Sequence, residues 1–176
     1  DNAGVINING GGVLEVSGTN VSGTNLVTVN VATNGIVMGG NANGATESLI
    51  ANDLSFGQGA YFGAKKGTTL TIAPEDGSTD MNWLVILGDG TEVSTDNAGG
   101  MVAFDGALNV SNNVYIRKGG SLGIAGNLTT PLVTNMGGLV FDGADTITLG
   151  QAIKNAGTVE ILNAADTQFV LNNAML

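Results

Sequence analysis

The chain holds no cysteine, no histidine, a single arginine, two prolines and one tryptophan among its 176 residues. Without cysteine it has no disulfide, no cysteine zinc site and no thiol nucleophile. Without histidine the Ser-His-Asp and Cys-His mechanisms are excluded, and histidine-ligated metals with them. Five basic residues stand against 15 acids, a formal charge of −10. So few cations cannot neutralise a run of phosphates, which makes nucleic acid a poor partner. Long apolar runs are also missing. The longest, Trp83-Leu84-Val85-Ile86-Leu87, falls far short of the ~20 residues with which a helix spans a bilayer. The start, at Asp1, has no initiator Met, basic region or signal-type apolar core, so the expectation is a piece of a longer protein.

What is abundant is small and polar: 29 Gly, 21 Asn and 18 Thr. The hydrophobic fraction of 43% is that of a globular chain, while the charged fraction of 11% is under half the usual share. Disorder needs low hydrophobicity with high charge, and collagen needs Gly at every third residue; neither pattern is present. The dominant signal is repetition. Gly99-Gly100-Met101-Val102-Ala103-Phe104, Gly119-Gly120-Ser121-Leu122-Gly123-Ile124 and Gly137-Gly138-Leu139-Val140-Phe141 begin in the same way. Ala156-Gly157-Thr158-Val159-Glu160-Ile161 is a fourth line, and Gly11-Gly12-Val13-Leu14-Glu15-Val16 an earlier one. The spacing predicts coils of about 20 residues, a period within the range of repeat architectures.

Each line is a Gly turn followed by a short alternating strand. Leu70 and Ile72 alternate with Thr69 and Thr71, and Val159 and Ile161 flank Glu160. Period two with β-branched residues is the strand signal, and no stretch carries a helical stripe. Gly and Asn between the strands tolerate the positive φ of tight corners. The reading is all-β. A sandwich gives no reason to repeat, whereas a stacked β-solenoid does, because equivalent positions form ladders along its axis. The inner column is expected to hold Val102, Phe104, Leu122, Ile124, Leu139, Phe141, Val159 and Ile161. A second strand would add Leu108 and Val110, Ile147 and Leu149, and Phe169 and Leu171. No domain boundary is visible, so residues 1–176 read as one segment. The period is least regular between Asn41 and Gly99, where 41–46 and 73–80 are expected as loops able to carry binding.

Asn2-Ala3-Gly4-Val5-Ile6-Asn7-Ile8, Phe141-Asp142-Gly143-Ala144 and Asn155-Ala156-Gly157-Thr158-Val159-Glu160-Ile161 resemble autotransporter (type V secretion) passenger domains. The style is similar to the large Gly/Asn/Thr-rich surface antigens of the rickettsial outer-membrane type. That resemblance implies a right-handed parallel β-helix on the outer membrane of a bacterium, delivered by a C-terminal translocator barrel of the parent chain that lies outside this segment. It implies a structural stalk and adhesin in host-cell attachment and invasion, with a host-cell surface protein or glycan as partner. The alternatives are a carbohydrate-active β-helix enzyme, lyase or hydrolase, and a purely structural surface scaffold.

Candidate contact residues are two mixed aromatic and basic groups: Tyr61 with Lys65 and Lys66 beside Phe62, and Tyr115 with Arg117 and Lys118. They hold four of the five cations, and aromatics and Arg are enriched at binding hot spots. Trp83 joins them, although Phe62 and Trp83 also suit a core. For catalysis, Asp105 and Asp142 occupy matching places in their lines and are expected to stack near each other. Asp142 with Asp145, and Asp76 with Asp80, have spacings that suit Ca²⁺, but match neither the EF-hand nor the calcium β-roll pattern. The expectation is no cofactor, no metal and no enzymatic activity.

Overall fold

The computed structural model describes residues 5–16, 28–40, 46–51, 53–88, 99–143, 147–149, 152–162 and 169–171. Of 46–51, 53, 147–149 and 169–171 it describes the backbone alone. The described residues form strands and turns, with no helix among them.

Every pairing between the described strands is parallel. A three-stranded sheet runs β1 (Val5–Ile8), β3 (Thr28–Val31), β6 (Asp53–Ser55). The longest path runs β2 (Val13–Val16), β4 (Ile36–Gly39), β7 (Gly59–Ala64), β9 (Ser78–Ile86), β11 (Ala107–Ile116), β14 (Leu132–Asn135), β17 (Ala152–Asn155). β13 (Leu128–Thr129) joins that sheet along the first part of β11. A six-stranded sheet runs β5 (Thr46–Ala51), β8 (Thr69–Pro74), β10 (Met101–Phe104), β12 (Ser121–Ile124), β15 (Gly138–Asp142), β18 (Thr158–Leu162). β16 (Ile147–Leu149) pairs with β19 (Phe169–Leu171).

The chain returns to each of the larger sheets repeatedly, and each new strand lies in parallel beside one from an earlier pass. The predicted inner column is present in register: Val102, Leu122, Leu139 and Val159 align, as do Phe104, Ile124, Phe141 and Ile161. Leu70 and Ile72 extend both rows. All of these are buried except Val159 and Ile161, which lie on the last strand of the sheet, where Ile161 is 38% exposed. Leu108 and Val110 are also buried. Ile147 and Leu149 pair in backbone register with Phe169 and Leu171.

One core cluster joins inward side chains from the three large sheets. Its widest part is a ladder of rings, Phe56 on Phe62 at 5.0 Å and Phe62 on Phe104 at 5.4 Å, both edge-on. That geometry suits the ring quadrupole. Parallel sheets usually need covering on both faces. Here one face supplies the core, and the other is mixed: Asn7, Asn30, Thr69 and Thr71 lie on it, but so do Val13, Tyr61, Met101 and Val140. Asn30 Nδ2 donates to Asn7 Oδ1 at 3.0 Å along such a face.

The repeating glycines are explained at the corner leading into the six-stranded sheet. A Cβ on Gly120 would collide with the Leu87 carbonyl, on Gly137 with that of Gly120, and on Gly157 with that of Gly137. Backbone there stacks directly on backbone, and no side chain fits between. Beneath it, the fully buried Asn135 donates to Asn155 Oδ1 and to the Thr158 carbonyl, both at 2.8 Å, and accepts from Gly137 N at 3.1 Å. Asn155 bonds within its own turn, donating to the Gly157 carbonyl and accepting from Gly157 N, both at 3.3 Å.

The structure corrects two expectations. One register column of the longest sheet runs Val13, Ile36, Tyr61, Val85, Tyr115, Thr134, Lys154. Only its last two steps, from Tyr115 to Thr134 and on to Lys154, have the expected coil length. The steps before them are all longer, and the one from Val85 to Tyr115 is half as long again. Earlier circuits hold more residues between paired strands while keeping the strands in register. The loop expected over 73–80 is also mostly strand: β8 runs to Pro74 and β9 begins at Ser78, leaving the tight turn Glu75–Gly77. Of the loop expected over 41–46, residues 41–45 lie outside the described residues, and Thr46 begins β5.

Candidate contact surface

Alternation along three neighbouring strands decides where the aromatics go. In β7, β9 and β11 the residues Ala60, Phe62, Leu84, Ile86, Val114 and Ile116 are buried, so Tyr61, Trp83, Val85 and Tyr115 belong to the outer face. Tyr61 pairs across to Val85 and Val85 to Tyr115, which puts both tyrosines in one register column. Two groups far apart in the sequence therefore share one sheet face. Phe62, the aromatic neighbour of Tyr61, is core.

Trp83 belongs with Tyr61. Their ring centroids are 5.2 Å apart at 68°, an edge-on pair. The indole lies over Gly59, where a Cβ would overlap the ring, and Gly59 holds φ +150°. Both aromatics are half-buried. Tyr61 also packs against a second apolar cluster, Ile36, Met38 and Leu87, separate from the main core. Tyr115 is half-buried, and its hydroxyl donates to Met136 Sδ at 2.9 Å.

The cations sit at the end of these strands in two matching turns. Thr68 N donates to the Lys65 carbonyl at 2.9 Å, and Gly120 N to that of Arg117 at 3.1 Å. Gly67 and Gly119 take φ +81° and +87°, as the third position of a type II turn requires. Lys66 and Lys118 occupy the exposed second position. The intervening circuit leaves at Gly88, which packs against the Lys118 carbonyl, and returns at Gly100, whose N–H donates to Ala64 O at 2.9 Å. Lys65 is partly engaged, 3.6 Å from Glu15 with side chains 39% and 60% exposed. A pair so open to water contributes at most about 1 kcal/mol.

Beside the aromatics lies a polar notch that sequence reading did not find. Between the strand that ends one sheet and the strand that begins the next, the chain uses 56–58 in one circuit. The next circuits use only Asn82 in β9, then Ser111 and Asn112 in β11. The short corner between two longer ones leaves a concavity of about 400 Å³. Its walls are tied by amides: Asn82 Nδ2 donates to Gln58 Oε1 at 2.8 Å, and Asn112 Nδ2 to Asn82 Oδ1 at 3.0 Å. Asn109 Nδ2 donates to Asp80 Oδ1 at 3.0 Å. Separations of 24, 30 and 29 along the chain match no visible period, so these side chains give no sequence signal.

The acidic candidates form no close pair, although Asp105 and Asp142 border one concavity. Phe104 pairs with Ile124 and Ile124 with Phe141, so Ala125 stands between Asp105 and Asp142, two strand steps or roughly 10 Å apart. Asp76 accepts from Ser78 N at 3.1 Å within its own turn. Asp80 is bonded to Asn109, and Asp145 lies outside the described residues. Among the described residues, no three Asp or Glu side chains gather as a metal site.

Compared with known proteins, the chain matches no family model, no curated protein and no solved structure.

Proposed function

We propose that the chain is a segment of a right-handed parallel β-helix, displayed on a bacterial surface as part of an autotransporter passenger. Residues 1–176 act as one structural stalk and as an adhesin in host-cell attachment and invasion. The mechanism is mechanical and recognitive: stacked circuits supply a rigid rod, and its outer faces contact a host-cell surface protein or glycan. The reading assigns no catalytic role to Asp105 and Asp142, which Ala125 separates.

The observation carrying the reading is the shared outer face of Tyr61, Trp83 and Tyr115, with Lys65, Lys66, Arg117 and Lys118 at its corner. Half-exposed aromatics beside cations are the composition of interface hot spots. Held by in-register parallel pairing, they need little ordering on contact, which lowers the entropic cost of binding. The absence of cysteine suits a chain that threads an outer-membrane barrel unfolded.

Binding of the purified chain to cultured mammalian cells tests the reading, once circular dichroism has shown β structure. Saturable binding is expected, reduced on the order of tenfold or more in Tyr61→Ala/Tyr115→Ala. A folded chain that does not bind would make the segment a spacer. Turnover of acidic or neutral glycans would replace the adhesin reading with an enzymatic one.

A further inference from the structure

We propose that the notch between Gln58, Asp80, Asn82, Asn109, Ser111 and Thr129 is a binding site for a neutral oligosaccharide. The inference rests on the contact-surface reading and names its ligand chemistry. At about 400 Å³ the concavity lies within the range of small-ligand sites. Its shape is built into the backbone, because it arises from corners of unequal length held between paired strands.

The hydrogen-bonding inventory points to hydroxyl groups. A primary amide offers two N–H donors and two acceptor lone pairs. Among the described residues, Asn82 spends one of each within the ladder, on Gln58 and Asn112, and keeps one of each. Gln58 accepts from Asn82 and retains both of its donors, while Asn109 donates once to Asp80 and retains its carbonyl oxygen. The ladder orients these amides in advance, so that donors and acceptors share the walls with Met81 and Val110. A sugar hydroxyl, which both donates and accepts, complements such a wall.

Charge narrows the class. Among the described residues lining the notch, Asp80 is the one ionisable group, and there is neither Lys nor Arg. Carboxylated or sulfated glycans would meet Asp80 without a counter-charge, so the match is to neutral sugars. Trp83 lies outside the notch lining but adjoins it in the chain: it follows Asn82 directly, and its indole covers Gly59, next to Gln58. The C–H face of a sugar ring packs on an indole that also has a polar edge.

Trp83, the only tryptophan, reports on its own neighbourhood by fluorescence. The test is an array of neutral, sialylated and sulfated oligosaccharides probed with the purified chain, with hits titrated in solution by Trp83 emission. A neutral oligosaccharide is expected to bind saturably and shift the emission. Gln58→Ala and Asn109→Ala should each weaken it on the order of tenfold, with unchanged circular dichroism, while Lys154→Ala leaves it unaltered. The proposal is overturned if the folded chain binds no neutral oligosaccharide, prefers acidic ones, or binds equally well in both notch variants. Undiminished attachment to enzymatically deglycosylated cells would overturn the notch and leave the adhesin reading standing. Neutral-sugar binding by a chain that ignores cells would do the reverse.

Discussion

Up to Tyr115 the circuits of the long sheet are long and unequal, whereas from Tyr115 through Thr134 to Lys154 they are short and nearly constant. The earlier part is held inside by the rings of Phe56, Phe62 and Phe104 and carries the outer aromatics, the cationic turns and the amide notch. The later part uses mainly aliphatic columns interrupted by Phe141, a glycine corner and the Asn135–Asn155 amide ladder. The later circuits border a smaller concavity of about 180 Å³, against about 400 Å³ at the amide notch. Extra residues at a corner leave strand register intact and alter only the surface. Under the proposed function the two parts divide the work: regular circuits would make the stalk, irregular ones the contact site.

Five substitutions probe that division through urea denaturation, beginning with the largest effect. Phe62→Ala removes the central ring of the wide core and is expected to cost about 3–5 kcal/mol. A loss below about 1 kcal/mol, well under the usual cost of an emptied core site, would show that the rings do not organise the earlier circuits. Gly137→Ala forces a methyl group against the Gly120 carbonyl and should cost roughly 3 kcal/mol, the upper range of overpacking. The same substitution at exposed Gly77, with nothing near its Cβ position but φ +73°, should cost less, about 1 kcal/mol from backbone conformation alone. Asn135→Ala leaves the Thr158 carbonyl and Gly137 N without their partner and is expected to cost about 2 kcal/mol. An unchanged midpoint would show that the ladder does not hold the later circuits. The smallest effect has the opposite sign. Thr79 Oγ1 is buried without a hydrogen-bond partner, so Thr79→Val should stabilise the protein by about 1 kcal/mol.

The same contrast governs how much of the molecule is legible in its sequence. Where circuits are short, equivalent residues recur at nearly constant spacing, and the column from Val102 to Ile161 is readable residue by residue. The glycine pairs mark the corner because only glycine fits where backbones touch. In the earlier circuits, variable corners break the spacing while pairing keeps the strands aligned, so the start of β9 reads as loop. For the site, residue type draws attention to Tyr61, Trp83 and Tyr115. Their meeting on one face depends on two circuits of unequal length, which no local pattern announces. Gln58, Asn82 and Asn109 are invisible for a further reason: amides are everywhere in this chain, and only the difference in corner length singles these out. Matching positions also mislead, since Asp105 and Asp142 are equivalent but not adjacent.

Whether the irregular circuits carry recognition while the regular ones carry load is settled best by comparing two sets of variants on the same outer sheet face. Tyr61→Ala/Trp83→Ala/Tyr115→Ala alters the earlier circuits, and Thr134→Ala/Lys154→Ala lies in the same register column in the later ones. With both proteins shown to be folded, attachment to mammalian cells should be lost in the first and unchanged in the second. Equal attachment by both, or loss confined to the second, would contradict this division of work.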